Sequence, residues 1–206
     1  MAVNAVVFDI GNVLIEWNPE RHYDRIIGPD RRSAMFAALD LHGMNDGIDR
    51  GQDFHATVQA MADAHPEWRV EILRWHDDWL QMASPAIDHS VRLLRALRAK
   101  GVPVFALTNF GIQTFDLACR HYPFLTEFDR AYVSGHLGVI KPDPAIYQAV
   151  EEDCGIRPGD LLFTDDRADN IAQAAARGWQ THLFDGPQGW ADRLVAAGLL
   201  SEAEAA

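Results

Sequence analysis

The chain has 206 residues, a hydrophobic fraction of 48% and a formal net charge of −12. The length predicts one packed domain, or one domain with an insertion, and the acidic balance argues against nucleic acids and anionic membranes as partners. Because the two cysteines lack metal-type spacing and the first residues contain neither a basic leader nor a long apolar run, we expect a cytoplasmic protein.

The first predicted element is a buried strand, Ala5–Phe8, which is short, apolar and followed by Asp9 and Gly11. Asp9 therefore stands at the carboxyl end of a strand, the edge at which open α/β sheets bind ligands. Its carboxylate could hold a cation or attack an electrophile, whereas the structural alternative is a turn residue that follows a strand.

From residue 16 to residue 84 the sequence has helical periodicity and no strand-like alternation. This stretch is too long for an ordinary crossover, so it predicts an all-helical cap, residues 16–84, inserted above the carboxyl end of the first strand. Residues 1–15 and 85–206 then form the α/β core. Trp68, Ile72, Trp75 and Trp79, spaced three or four residues apart, favour the inner face of a helical bundle. The functional alternative is an aromatic contact to a substrate, for which Trp17, beside the Asp9 loop, is the first candidate. Within the cap we expect helices over 31–39, after Asp53 and over 68–82, and loops over 28–30 and 43–51.

After Pro85 short apolar runs alternate with helical patterns, which predicts a parallel sheet with right-handed crossovers. The expected strands cover 102–109, 131–134, 161–166 and 181–184. The expected helices cover 91–100, 112–121, 144–153, 168–177 and 189–197, the first of them capped by Ser90. The whole is an α/β fold with a small helical insertion.

Three predicted strands end in polar side chains: Asp9, then Thr108 and Asn109, then Asp165 and Asp166. If these strands are neighbours, all of these groups face one crevice. A hydroxyl, an amide and free backbone N–H groups suit phosphate oxygens, while Asp9 and Asp165 together suit Mg²⁺.

Lys141 is one of two lysines in the chain and lies in a loop rich in Gly and Pro. The other, Lys100, has an ordinary role near a helix C-terminus. Lys141 could be a surface charge or the cation of the site, where it would screen the repulsion between Asp9 and an incoming phosphoryl oxygen.

Four segments of the chain resemble, in order, the four motifs of the haloacid dehalogenase-like hydrolases. They are Phe8-Asp9-Ile10-Gly11-Asn12-Val13-Leu14, Leu107-Thr108-Asn109, Lys141-Pro142-Asp143-Pro144 followed by Tyr147, and Phe163-Thr164-Asp165-Asp166-Arg167 followed by Asn170. The similarity spans nearly the whole chain and is greatest to the branch with the first motif F-D-[IL]-G-N-V, which carries a helical cap after the first strand and includes sugar-phosphate phosphatases. The resemblance implies a Rossmann-like sheet with strand order 3-2-1-4-5.

The resemblance also implies Mg²⁺-dependent hydrolysis of a small phosphate ester, with a sugar phosphate as one candidate. Asp9 would attack phosphorus and form an aspartyl-phosphate that water hydrolyses. The implied phosphate contacts are Thr108, the Asn109 backbone and Lys141, and the implied Mg²⁺ ligands are Asp9, the Gly11 carbonyl and Asp165. Supporting roles are implied for Asp166, Asp169 and Asn170, each of which could instead be a cap or turn residue. The sequence leaves a monomer and a homodimer equally open.

One position departs from the family pattern, because Gly11 stands where most family phosphatases carry a second Asp as general acid and base. Losing such a group typically costs about 10²- to 10⁴-fold in rate. Either the leaving group needs no acid, as in an anomeric or acetyl phosphate, or hydrolysis is slow, or a cap residue substitutes. The cap candidates are His22, Asp46 and Asp49.

Two other functions stay open. A regulatory protein that binds phosphate and metal without useful turnover is favoured by Gly11. A 2-haloacid dehalogenase, in which Asp9 attacks carbon, needs no metal, so Asp165, Asp166 and the lack of an aromatic residue at position 11 count against it. A dinucleotide-binding Rossmann protein is disfavoured because the first turn lacks the glycine spacing that a pyrophosphate requires.

Overall fold

The structure, a computed structural model, describes residues 2–206. Its strands are β1 (Ala5–Phe8), β2 (Ile15–Trp17), β3 (Ala83–Ala86), β4 (Val104–Thr108), β5 (Arg130–Val133), β6 (Leu161–Asp165) and β7 (Gln180–Leu183). Its α-helices are α1 (Pro19–Ile27), α2 (Pro29–Ala38), α3 (Leu41–Asp49), α4 (Phe54–Ala64), α5 (Arg69–Asp77), α6 (Trp79–Met82), α7 (Asp88–Ala99), α8 (Ile112–His121), α9 (Ser134–Leu137), α10 (Pro144–Cys154), α11 (Ala168–Ala176) and α12 (Pro187–Ala196). Short 3₁₀ segments cover Pro66–Trp68, Pro123–Thr126 and Pro158–Asp160.

The main sheet has five parallel strands in the order β5-β4-β1-β6-β7. Counted among themselves along the chain, these are the third, second, first, fourth and fifth strands. Every residue of β1, β4 and β6 is buried, which explains why their sequences are apolar up to the carboxyl ends, since a parallel sheet is covered on both faces. Phe8, at the end of β1, lies beside Ala106 of β4 and Thr164 of β6, so the loops after these strands meet at one edge.

Alternate residues of β1 serve two separate hydrophobic cores. Val6 and Phe8 face one core, where the Phe8 ring meets Trp190 edge-on at 5.5 Å. Ala5 and Val7 face the other core, which contains Tyr147, Phe163 and Trp179. Helices on both faces therefore hold the central strand in place.

A second sheet, the antiparallel pair β2 and β3, joins the helical insertion to the core and was not predicted. It pairs Ile15 with Ala86 and Trp17 with Ala83. These strands have three and four residues, too few to produce a readable alternation. Helices α1 to α6 lie between them in the chain, and Trp75 of α5 is fully buried at their centre, 6.0 Å from the Trp17 ring.

The prediction of a loop over residues 43–51 is wrong, because most of that stretch belongs to helix α3. Asp40 caps this helix by accepting a hydrogen bond of 2.9 Å from the Gly43 N–H. The glycines Gly43 and Gly47 lower helix propensity and concealed the pattern. The apolar face that buries the helix consists of Leu41, Met44 and Ile48.

Three other helix boundaries differ from the predictions. Residues 68–82 do not form one helix, because the chain breaks at Asp78 between α5 and α6. Pro29 begins α2 rather than a loop. Helix α7 begins at Asp88, so Ser90 is a buried residue inside the helix and not its cap. None of the helices within residues 2–206 has both the length and the apolar character needed to cross a bilayer.

Replacing Gly47 with Ala is expected to stabilise the protein by about 0.5–1 kcal/mol, since Gly costs about that much relative to Ala inside a helix. The new Cβ would lie 2.5 Å from Gln52 Oε1, the end of a flexible side chain that can move. The control is Gly43→Ala, whose Cβ would lie 2.1 Å from Asp40 Oδ2 and displace the capping carboxylate. Urea unfolding of both variants measures the difference, and equal effects would argue against α3.

Candidate active site

The carboxyl ends of β1, β4 and β6 border a cavity of about 410 Å³, and residues of helix α3 also line it. Among the residues selected from the sequence, the cavity is lined by Asp9, Gly11, Trp17, Asp46, Asp49, Thr108, Asn109, Lys141, Asp166 and Asn170. His22 lies elsewhere, where its buried Nε2 is 3.1 Å from Asp78 Oδ2. Asp165 is fully buried beside Lys141 and does not line the cavity, and Asp169 is paired with Arg167.

Lys141 is a buried cation held between two carboxylates. Its Nζ lies 2.9 Å from Asp9 Oδ1 and 2.6 Å from Asp165 Oδ2, and it donates a third hydrogen bond of 2.8 Å to the Leu107 carbonyl. The Lys141 side chain is only 1% exposed. This ion pair joins β1, the end of β4 and β6 through one ammonium group.

Burial and charge oppose each other in this cluster. Burial alone would lower the pKa of the Lys141 ammonium, but Asp165 and Asp9 outweigh it and raise that pKa above its usual value. Burial raises the pKa of Asp9 to about 7 even though Lys141 acts in the opposite direction. Lys141 thus stays charged, and it is the main group that favours the ionised form of Asp9.

Three carboxylates, those of Asp9, Asp165 and Asp166, have ligand atoms within 4.8 Å of one another. The Asp165 carboxylate is already engaged by Lys141, by the Arg167 N–H at 2.8 Å and by the Asn170 amide at 3.0 Å. Asp166 faces the cavity, and burial raises its pKa. The two neighbouring acids at the end of β6 therefore have different surroundings.

Asn109 and Lys141 join two loops of the site. The Asn109 amide donates to the Lys141 carbonyl at 3.0 Å, and the Lys141 N–H donates to Asn109 Oδ1 at 2.8 Å. Thr108, one residue earlier, is 1% exposed and lines the cavity. The Asn109 side chain therefore fixes the loop that carries Lys141. The phosphate contact that the sequence predicts for Asn109 involves its backbone and not this side chain.

Asn12 is a site residue that the sequence analysis did not select. It adopts a left-handed conformation with φ 55°, which Asn tolerates better than most residues other than Gly. Its amide donates to Asp166 Oδ2 at 3.0 Å, and its Oδ1 accepts the Trp17 N–H at 2.9 Å. The sequence does carry a signal for this role, because an Asn directly after Gly11, in the loop that follows a strand, is typical of a left-handed turn position.

One face of α3 contributes four polar side chains to the cavity: His42, Asn45, Asp46 and Asp49. Their spacing of three and four residues places them on the same side of the helix. Burial, followed by the charge of Asp46, raises the pKa of Asp49 to about 7. Trp17 lines the same cavity, and its ring packs 5.9 Å from that of Trp79.

Two curated phosphatases match most of the chain. Phosphatase MT3486 of Mycobacterium tuberculosis is 30% identical over 199 residues, which cover 90% of this chain and 88% of the relative. D-ribitol-5-phosphate phosphatase of Bacteroides thetaiotaomicron is 24% identical, covering 94% of this chain and 97% of the relative. A match to drimenol cyclase drtB of Aspergillus calidoustus is 32% identical over 81 residues, which cover 39% of this chain and 15% of that protein.

Solved structures share the fold. A HAD family enzyme of Bacteroides thetaiotaomicron, determined as an aspartate-to-alanine variant with magnesium and inorganic phosphate, has a TM-score of 0.70 at 23% identity and covers 90% of this chain and 95% of that one. A dehalogenase determined with an intermediate complex has a TM-score of 0.64 at 20% identity, covering 87% and 84%. The fold alone therefore does not separate phosphatases from dehalogenases.

The family assignment rests on sequence as well as fold. A model described as haloacid dehalogenase-like hydrolase matches residues 3–178. That range includes the loops after β1, β4 and β6 and the Lys141 loop, which are the segments that form the candidate site. The chain belongs to the haloacid dehalogenase-like hydrolase family.

Proposed function

We propose that this protein is a Mg²⁺-dependent phosphoric monoester hydrolase that uses Asp9 as its nucleophile. The observation that best supports this function is the meeting of Asp9, Thr108 and Lys141 at one edge of the cavity. The phosphatases that match the chain over most of their length give further support.

The contacts of Asp9 leave one of its carboxylate oxygens for attack on phosphorus. Oδ1 accepts the Ile10 N–H at 2.7 Å and lies 2.9 Å from Lys141 Nζ. The other oxygen, Oδ2, would attack the phosphorus of the ester, and the bond from phosphorus to the ester oxygen would break. Lys141 would offset the charge of the phosphoryl group, and the Thr108 hydroxyl would donate to one of its oxygens. Water would then hydrolyse the aspartyl-phosphate.

The oxygen donors beside Asp9 fit Mg²⁺, which prefers carboxylates, backbone carbonyls and water. We propose Asp9, the Gly11 carbonyl and Asp166 as its protein ligands. The sequence predicted Asp165 in place of Asp166, but the hydrogen bonds of Asp165 support another role, which is to hold Lys141 and the start of α11. When bound, Mg²⁺ neutralises negative charge on the phosphoryl oxygens.

We also propose that residues 16–84 act as a cap over a core of residues 1–15 and 85–206. A helical insertion after the first strand and the sequence of residues 8–13 support placing the chain in the F-D-[IL]-G-N-V branch of phosphatases. The side chains of the insertion that line the cavity are Glu16, Trp17, His42, Asn45, Asp46, Asp49 and Trp79.

The chemistry of this lining indicates the substrate class. The insertion contributes no Lys or Arg to this lining, and the Arg that lines the cavity from the core, Arg167, is paired with Asp169. A second phosphate or a carboxylate on the substrate would therefore meet mainly acidic groups. Carboxylate, amide and imidazole groups beside two indole rings suit the hydroxyl groups and ring of a carbohydrate. A sugar or polyol that carries a single phosphate is therefore the substrate we propose.

The test is release of inorganic phosphate from p-nitrophenyl phosphate and from a panel of sugar and polyol monophosphates, with Mg²⁺ and with EDTA. Mg²⁺-dependent release is expected. Gly11 favours one alternative, a regulatory protein that binds phosphate and metal without turnover, and no release from any ester by folded, Mg²⁺-bound protein would support that alternative. Metal-independent halide release from a 2-haloacid would indicate a dehalogenase.

A further inference from the structure

The cavity has no acid at the position beside the nucleophile. Gly11 lines the cavity, and a Cβ built on it would meet no atom within 4 Å, so the position has room for a side chain that the sequence does not supply. A sugar or polyol is a poor leaving group unless its oxygen receives a proton as the bond to phosphorus breaks. The proton donor for such a substrate has to come from another part of the cavity wall.

We propose that Asp49, on helix α3 of the insertion, is the general acid and base of this hydrolase, acting from the same cavity that Gly11 lines; this inference rests on the proposed function. Besides Asp9 and Asp166, the cavity is lined by three carboxyl groups, those of Glu16, Asp46 and Asp49. The side chain of Glu16 is 41% exposed and pairs with Arg21, and that of Asp46 is 54% exposed. Asp49 is buried.

A chain of hydrogen bonds fixes the Asp49 carboxyl. The Nε1–H of the fully buried Trp75 donates to Asn45 Oδ1 at 3.2 Å, which sets the orientation of the Asn45 amide. The Nδ2 of that amide then donates to Asp49 Oδ2 at 2.9 Å. A carboxyl group held in this way keeps one orientation toward the cavity, as proton transfer requires.

Close packing places the end of α3 against the loop that carries Thr108. A Cβ at Gly111, three residues after Thr108, would lie 2.6 Å from Ile48 Cγ2. A Cβ at Gly51 would lie 2.7 Å from the Gly135 carbonyl oxygen. Asp49 lies between these two contacts in the chain, so it is fixed next to the loop proposed to bind the phosphoryl group.

The charged groups that act on Asp49 are Asp46 and Arg50 on its own helix and Asp9 from the β1 loop. Burial and the Asp46 charge raise the pKa of Asp49 to about 7, and Asp9 raises it further while Arg50 acts in the opposite direction. Both carboxyl groups line the same cavity. A carboxyl group with a pKa near the working pH can both give and take a proton.

The proposed steps balance as follows. As Asp9 attacks phosphorus and the ester bond breaks, the electron pair stays on the ester oxygen, which takes the proton of Asp49 and leaves as an alcohol. The Asp49 carboxylate next takes a proton from water while that water attacks the phosphorus of the aspartyl-phosphate. Asp9 is released as a carboxylate together with inorganic phosphate, and Asp49 is protonated again.

The test compares Asp49→Asn with the control Asp30→Asn, which makes the same charge change at an exposed position of the insertion. On a sugar or polyol phosphate, kcat of Asp49→Asn is expected to fall by about 10²-fold or more. On p-nitrophenyl phosphate, whose leaving group needs no acid, the variant should release one equivalent of p-nitrophenol rapidly and then turn over slowly. The phosphorylated Asp9 should accumulate and be detectable by mass spectrometry.

A second variant separates a catalytic from a merely structural role. Asn45→Ala keeps the Asp49 carboxyl but removes a hydrogen bond to its ionised form, so the limb of the kcat–pH profile that Asp49 controls should move to higher pH.

If Asp49→Asn keeps kcat within about threefold of wild type on poor leaving groups, where loss of an acid–base group should cost far more, the proposal is overturned. The proposal is also overturned if Asp49→Asn shows no rapid release of one equivalent of p-nitrophenol before its slow turnover. Failure of the proposed function would look different, because wild-type protein would then release no phosphate at all.

Discussion

An Asp9→Asn variant is expected to lose phosphate-ester hydrolysis by roughly 10⁴-fold or more while it folds normally, since removal of a covalent nucleophile has effects on this scale. The Asn side chain has the size of Asp and keeps an oxygen for the Ile10 N–H, but it cannot form an aspartyl-phosphate. The measurement is kcat on the best substrate of the panel. The control is Asp192→Asn on α12, an exposed carboxylate that accepts a hydrogen bond from Gln188 of the same helix.

The stability of this variant gives a second, independent readout. Burial raises the pKa of Asp9 to about 7 in the folded protein, whereas an unfolded Asp titrates near 4. A carboxyl group whose pKa is raised by folding costs stability once the pH exceeds its unfolded pKa, and this cost grows until the pH reaches the folded pKa. In EDTA, the free energy of unfolding of Asp9→Asn relative to wild type should therefore rise from about pH 4 to pH 7. A difference that falls with pH would contradict this environment for Asp9.

Lys141→Met is expected to lower the free energy of unfolding by about 3–5 kcal/mol, the cost of breaking a buried ion pair by removing one partner. Met fills a similar volume, so the loss would come from charge: Asp9 and Asp165 would be left buried beside each other without a cation. Urea unfolding in EDTA measures this loss. The control, Lys100→Met, removes an exposed ammonium that pairs with Glu204 and should change stability by less than about 1 kcal/mol.

The loss in Lys141→Met should depend on pH with a definite sign. Lys141 lowers the pKa of Asp9, so its removal raises that pKa further above the unfolded value. The deficit relative to wild type should then be largest above neutral pH and shrink as the pH falls and Asp9 becomes protonated. A deficit independent of pH would mean that lost packing, and not unpaired charge, destabilises the variant.

The strands and loops that form the site could be predicted because they carry strong local signals. Each of β1, β4 and β6 is a short apolar run that ends in a polar residue, and parallel strands bring those ends to one edge. Helix α8 has the predicted bounds, residues 112–121. The sequence could not show which of the adjacent residues Asp165 and Asp166 faces the cavity. The two side chains are identical, and the backbone conformation at the strand end decides which of them lines the cavity.

The part of the cavity lining formed by α3 was harder to predict. Helix α3 contains Gly43 and Gly47, so its propensity is poor, and it is held by tertiary contacts, including Ile48 against Gly111, that only folding creates. A loop over residues 43–51, as the sequence predicts, gives Asp46 and Asp49 no common direction, whereas α3 places both on one face. His22 was a reasonable candidate by residue type, but its helix turns it toward Asp78.

The paired strands β2 and β3 have a consequence for how the protein can diversify. Because they are hydrogen-bonded neighbours, the two points at which the insertion joins the core lie about one strand spacing apart, roughly 5 Å. A segment whose ends are this close can be lengthened, shortened or exchanged without moving β1 or β4. Under the proposed role of residues 16–84 as a cap, substrate preference can thus evolve separately from the hydrolytic centre, and a graft of this segment between relatives would transfer it.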